Sequence, residues 1–115
     1  MSQESSRILI ISKDKALNYL IGRYAEQSGY EINRSSAIPL PEEALHLHPP
    51  AIVFASIERL EAAQTFIEGL KNSDIPVLVC SSSSDEERAL EFGADRCLVQ
   101  PITYEAFLSA LQPNK

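Results

Sequence analysis

Residues 51–56 read AIVFAS, a short apolar run that ends on a serine. A run this short, apolar throughout and without polar alternation, is the pattern of a strand buried on both faces. Burial on both faces requires helices above and below, which implies a parallel sheet built from βα units. In open sheets of that kind ligands gather at the carboxyl edge of the strands. Ser56 therefore stands where a functional side chain is expected, and a serine is a weak one.

The same alternation extends on both sides of this run. Towards the N-terminus, RILII (7–11) is a second apolar run, ending at Ser12-Lys13-Asp14. Leu17, Leu20, Ile21, Tyr24 and Ala25 then share one helical face, with Asp14 as the N-cap and Gly29 as the stop. YEIN (30–33) is a short strand, Pro39 and Pro41 mark a joint, and Glu42-Glu43 open a short helix reaching about His46. Pro49-Pro50 ends it. Towards the C-terminus, Leu60, Ala63, Phe66, Ile67 and Leu70 predict one helix, NSD (72–74) a turn and IPVLVC (75–80) a buried strand. Ser84 and Glu87 have the spacing of a capping box, and Gly93 closes the helix they begin. RCLV (96–99) is the last strand, Gln100-Pro101 a break, and Thr103 caps a helix presenting Tyr104, Phe107, Leu108 and Leu111. Five βα units with right-handed crossovers predict an α/β fold, a doubly wound five-stranded parallel sheet of order 2-1-3-4-5 with helices on both faces.

Length and composition set the outer limits. The chain has 115 residues, enough for a single domain (1–115, core about 7–111), and 44% of them are apolar, as in ordinary globular proteins. Sixteen acids against ten bases give a net charge of -6, the wrong sign for a nucleic-acid surface. No apolar stretch has the length of a membrane span, and the opening MSQESSR is polar rather than signal-like, so a cytoplasmic protein is expected. Cys80 and Cys97 lie in or beside apolar runs and read as buried reduced thiols, with a redox pair as the alternative. His46 and His48 read as a solvated helix end, because no further ligand lies near them in sequence. Asp85-Glu86-Glu87 and the other acidic runs read as first-turn or solvent-face charges.

At the level of motifs the chain resembles the receiver domain of bacterial two-component response regulators, from Arg7 to Leu111. The carriers are RILII, HPPAIVFAS, DIPVLV and above all EFGADRCLVQP (91–101), with Gly93, Ala94, Asp95, Leu98 and Pro101 in the places of the family signature. The resemblance implies a flavodoxin-like receiver fold. Family receivers hold Mg²⁺ with two acids after the first strand and phosphorylate an aspartate that ends the third. A Ser/Thr after the fourth strand and a Lys after the fifth then contact the phosphoryl group. In this chain the acid pair falls on Ser12 and Lys13, the phosphoacceptor on Ser56, the hydroxyl on Ser81, the lysine on Gln100 and the aromatic switch on Cys97. Only Ser81 keeps the expected chemistry.

Each of the other changes removes a capability. A serine hydroxyl without a positioned base does not form the acyl phosphate that a carboxylate forms. A hydroxyl and an ammonium do not supply the hard oxygens that magnesium needs, so no cofactor and no metal are expected. Gln100 cannot neutralise a phosphoryl charge. The segment after Ser56 is also about one residue short against the family pattern and lacks its Pro-Gly, and the joint from Ser81 to Gly93 is shorter by roughly a helical turn. The expectation is a pseudo-receiver without enzymatic activity, acting as a phosphorylation-independent interaction module. Its contact surface would carry Leu90, Phe92, Cys97, Gln100 and Tyr104, and its partner would be a kinase, an output domain or another receiver. The alternative is a sensor of a small anion or nucleotide in the emptied pocket of Ser12, Lys13, Ser56, Ser81 and Gln100, where the serine run 81–84 begins a helix.

Overall fold

A computed structural model describes residues 7–82 and 85–111. Five strands, β1 (Arg7–Ile11), β2 (Glu31–Ser35), β3 (Ile52–Phe54), β4 (Val77–Ser81) and β5 (Arg96–Val99), form one sheet of order β2-β1-β3-β4-β5. All four pairings are parallel. The helices are α1 (Lys15–Gln27), α2 (Pro41–Leu47), α3 (Ile57–Glu61), α4 (Gln64–Gly69), α5 (Glu86–Glu91) and α6 (Tyr104–Leu111). This is the expected doubly wound topology.

Side-chain alternation splits the core into two layers. Ile8 and Ile10 of β1, Val53 of β3, and Leu78 and Cys80 of β4 pack with Leu17 and Ile21 of α1 and Phe107 of α6. Leu9 and Ile11, Ile52 and Phe54, and Val77 and Val79 face the other way, onto Leu60, Phe66 and Ala89 from α3, α4 and α5. Both faces of β1, β3 and β4 are buried, which is why these strands read as continuous apolar runs. The edge strand β2 is only partly covered and has no fully buried residue.

Local signals explain most of the element ends. Asp14 accepts from the Leu17 N–H at 3.1 Å and caps α1; Thr103 accepts from the Ala106 N–H at 3.1 Å and caps α6. Gly29 and Gly93 both have positive φ, at 89° and 104°, where a Cβ is unfavourable. At Gly93 space is short as well, because an added Cβ would lie 2.7 Å from Ile67 Cγ2. The capping-box pair Ser84–Glu87 involves Ser84, which lies outside the described residues.

Four boundaries differ from expectation. The predicted helix through Leu60 and Leu70 is two helices, broken at Ala62–Ala63. The Gln64 side-chain amide sits at the break and donates to the Leu60 carbonyl at 3.0 Å and to the Phe92 carbonyl at 2.9 Å. Because the break is short, Leu60, Ala63, Phe66 and Leu70 still bury as predicted, with Ile67 half-buried beside them. Strand β4 begins at Val77 and not at Ile75, since Pro76 has no N–H for the ladder; its carbonyl accepts from Ile52. Strand β2 starts a residue later than expected and runs on to Ser35, held in register by Ile11↔Ser35. Helix α2 continues to Leu47 and stops at His48, which takes the left-handed conformation with φ 49°.

Candidate functional site

Parallel pairing carries the residues after β1, β3, β4 and β5 to one edge of the sheet. Ile11 pairs with Phe54, and the Ala55 N–H donates to the Ile11 carbonyl at 3.2 Å, so Ser12 and Ser56 leave the sheet side by side. The Gln100 N–H donates to the Ser81 carbonyl at 3.0 Å, setting those two together at the far end of the same edge. The backbones of Ser12, Lys13, Ser56, Ser81 and Gln100 thus lie along the carboxyl edge. The Gln100–Pro101 peptide is cis.

The three hydroxyls have local employment. Ser12, 3% exposed, accepts from the Asp14 N–H at 2.9 Å and so shapes the turn into α1. Ser56 has an extended backbone and accepts from the Arg59 N–H at 3.2 Å, which makes it the N-cap of α3. Ser81 is also buried; its single proton lies between the Ser82 carbonyl at 3.1 Å and Asp85 Oδ2 at 3.2 Å. Ser82 reaches the same carboxylate oxygen at 3.3 Å. Lys13 and Gln100 are exposed. Among the described residues no group of three His, Cys, Asp or Glu side chains is placed to hold a metal ion.

The edge is more acidic than its five positions suggest. Asp14 and Asp85 both border it, one capping α1 and the other receiving Ser81 and Ser82. Burial, then the neighbouring Cys97 and Asp14, push the Cys80 thiol up to about 12. Burial first, then the charge of Glu86, raise Cys97 as well, and a hydrogen bond with Ser81 partly offsets this. The two cysteines are free and cannot form the redox pair entertained above. Cys80 packs into the α1–α6 layer and Cys97 against the opposite one, so the sheet lies between their side chains.

Apart from Gln100, the residues expected at a contact surface separate into groups. Leu90, 52% exposed, and Cys97 line a cleft of about 410 Å³ between α5 and β5, together with Glu86, Asp95 and Arg96. Phe92 turns towards the core, with the Arg88 guanidinium 5.8 Å from its ring centre. Tyr104 lies across the sheet, its ring 5.5 Å from that of Tyr24, whose hydroxyl donates to the Ile102 carbonyl at 2.9 Å. Asp95 had no assigned role beyond its place in the signature. Its carboxylate accepts from the Val77 N–H at 2.7 Å while its own N–H donates to the Val77 carbonyl at 2.7 Å, closing the start of β5 onto β4. Gln64 gave no sequence signal at all.

Solved structures match this arrangement over almost the whole chain. Chemotaxis protein CheY4 from Vibrio cholerae superposes with a TM-score of 0.70 at 16% identity, over 94% of this chain and 97% of that one. The receiver fold is what this chain has. A response regulator from Burkholderia pseudomallei, solved with a phosphorylated aspartic acid and a calcium ion, shares the receiver fold at TM-score 0.67 and 23% identity, over 96% of this chain and 68% of its own. The receiver domain of Ssk1 from Saccharomyces cerevisiae, crystallised with the histidine phosphotransfer protein Ypd1, gives 0.65 at 14% identity, over 96% and 89%. No protein-family model and no curated protein matches the chain.

Proposed function

We propose that this domain is a pseudo-receiver of two-component signalling: an interaction module that works without phosphorylation and without magnesium. The observation that carries the reading is at Ser56. The position that receivers use for the phosphoryl group holds a hydroxyl already committed to capping α3, with no carboxylate to attack a phosphoryl donor. Lys13, beside it on the same edge, opposes a divalent cation, and Ser12 supplies no charge to hold one.

What remains of a receiver is its capacity to bind a partner. The reading assigns that role to β5 and its flanking helices, with Leu90, Cys97, Gln100 and Tyr104 on the surface. The Ssk1 receiver crystallised with Ypd1 supports a signalling protein as the partner class. The anion-sensor reading is weaker, because Asp85 presents a carboxylate to Ser81, the hydroxyl that an anion would need.

The test is incubation with acetyl phosphate and Mg²⁺, read as intact mass. Neither the wild-type chain nor Ser56→Asp is expected to gain a labile adduct, since phosphoryl transfer needs the ion to neutralise developing charge. Ser12→Asp, Lys13→Asp and Gln100→Lys combined with Ser56→Asp should restore one. An adduct on the wild-type chain overturns the proposal.

A further inference from the structure

The cleft between α5 and β5 combines one exposed apolar side chain with an excess of negative charge. Leu90 lines it, and Glu86 and Asp95 stand on opposite sides of it. Glu87 and Glu91 sit one helical turn apart on the adjoining face of α5, both exposed. Glu86 and Glu87 have an ordinary explanation, since acids suit the first turn of a helix. Glu91 does not, because in the last turn the helix dipole disfavours an acid. Of the two cations nearby, Arg88 reaches away to Glu61 at 3.5 Å, and Arg96 lines the cleft among the acids. The negative field extends to the floor, where Glu86 and Asp85 help to hold the Cys97 thiol above its ordinary value, behind burial as the main cause. Beside the cleft, β5 pairs only with β4 among the described residues.

We infer that the α5–β5 cleft docks a basic amphipathic segment of a partner protein. An apolar side chain of that segment packs on Leu90, and Lys or Arg residues on either side of it meet Glu86, Glu91 and Asp95. The inference rests on the interface reading above and supplies the partner's chemistry. A second copy of this chain is the wrong occupant: a two-fold contact through this cleft would set its acids against themselves, and the chain as a whole carries a charge of -6.

A random-peptide phage library selected on the immobilised full chain tests this, with Leu90→Asp as the counter-target. Both Leu90 and the acids of α5 are exposed, so the variants should fold, which circular dichroism checks. Enriched peptides are expected to carry a positive excess around an apolar residue and to lose binding to Leu90→Asp. Glu86→Lys with Glu91→Lys should weaken them about tenfold, and added salt should weaken their binding to the wild-type chain. Peptides that depend on Leu90 but carry no positive excess would overturn the charge inference and leave the interface reading standing. Peptides that bind Leu90→Asp as well as the wild type, or no enrichment at all, would remove both.

Discussion

Without its hydroxyl, Ser56 would leave the Arg59 N–H at the start of α3 with no side-chain acceptor. Ser56→Ala is expected to cost about 1 kcal/mol, read as a lower urea midpoint with an unchanged slope. The thiols make a second prediction at this scale. Cys97 is half-exposed at the cleft and Cys80 is 1% exposed, so a thiol reagent should modify Cys97 in the native protein and reach Cys80 only on unfolding. Burial holds the Cys80 thiol neutral up to about 12, against an ordinary 9.0, so the unfolded chain ionises first as pH rises. The stabilisation is therefore complete below about pH 9 and is lost as pH climbs towards 12. Melting temperatures of wild type and Cys80→Ala across that range check the sign: the wild type should fall more steeply.

Among the elements, the α5–β5 junction depends on Gly93, where positive φ and the nearby Ile67 both exclude a side chain. Gly93→Ala should cost about 2 kcal/mol or more, whereas Gly29→Ala, at a similar φ but with open space around it, should cost less. Urea unfolding of the two variants side by side separates the contribution of the contact from that of the backbone. The strands and the long helix α1 were legible because each carries its own periodicity and caps. The break at Ala62–Ala63 was not, since the buried residues continue across it on helical spacing while Gln64 makes its bonds to Leu60 and Phe92. Asp85 was equally hidden. In sequence it is one acid among three, and only the fold turns its carboxylate onto Ser81 and Ser82. The positions of the edge residues could be read from the strand ends, but the partners of their side chains could not.

For the molecule as a whole, a ligand that binds the native state raises the melting temperature by mass action. Millimolar Mg²⁺ is expected to leave it unchanged; a saturable rise would mean that the edge holds the ion after all. The helices that cover the sheet are unequal: α1 has 13 residues, while α2, α3, α4 and α5 have 7, 5, 6 and 6. Helices shorter than about 12 residues have little stability of their own and persist through packing alone. One side of the protein is therefore braced by α1, with the eight-residue α6 beside it, and the other is a mosaic of shorter pieces, expected to open more readily than the brace. Amide protons of α5 should exchange with deuterium well before those of α1. The wall of the cleft that carries Leu90 belongs to the mosaic, so it can yield to the shape of an incoming chain while the sheet behind it stays closed.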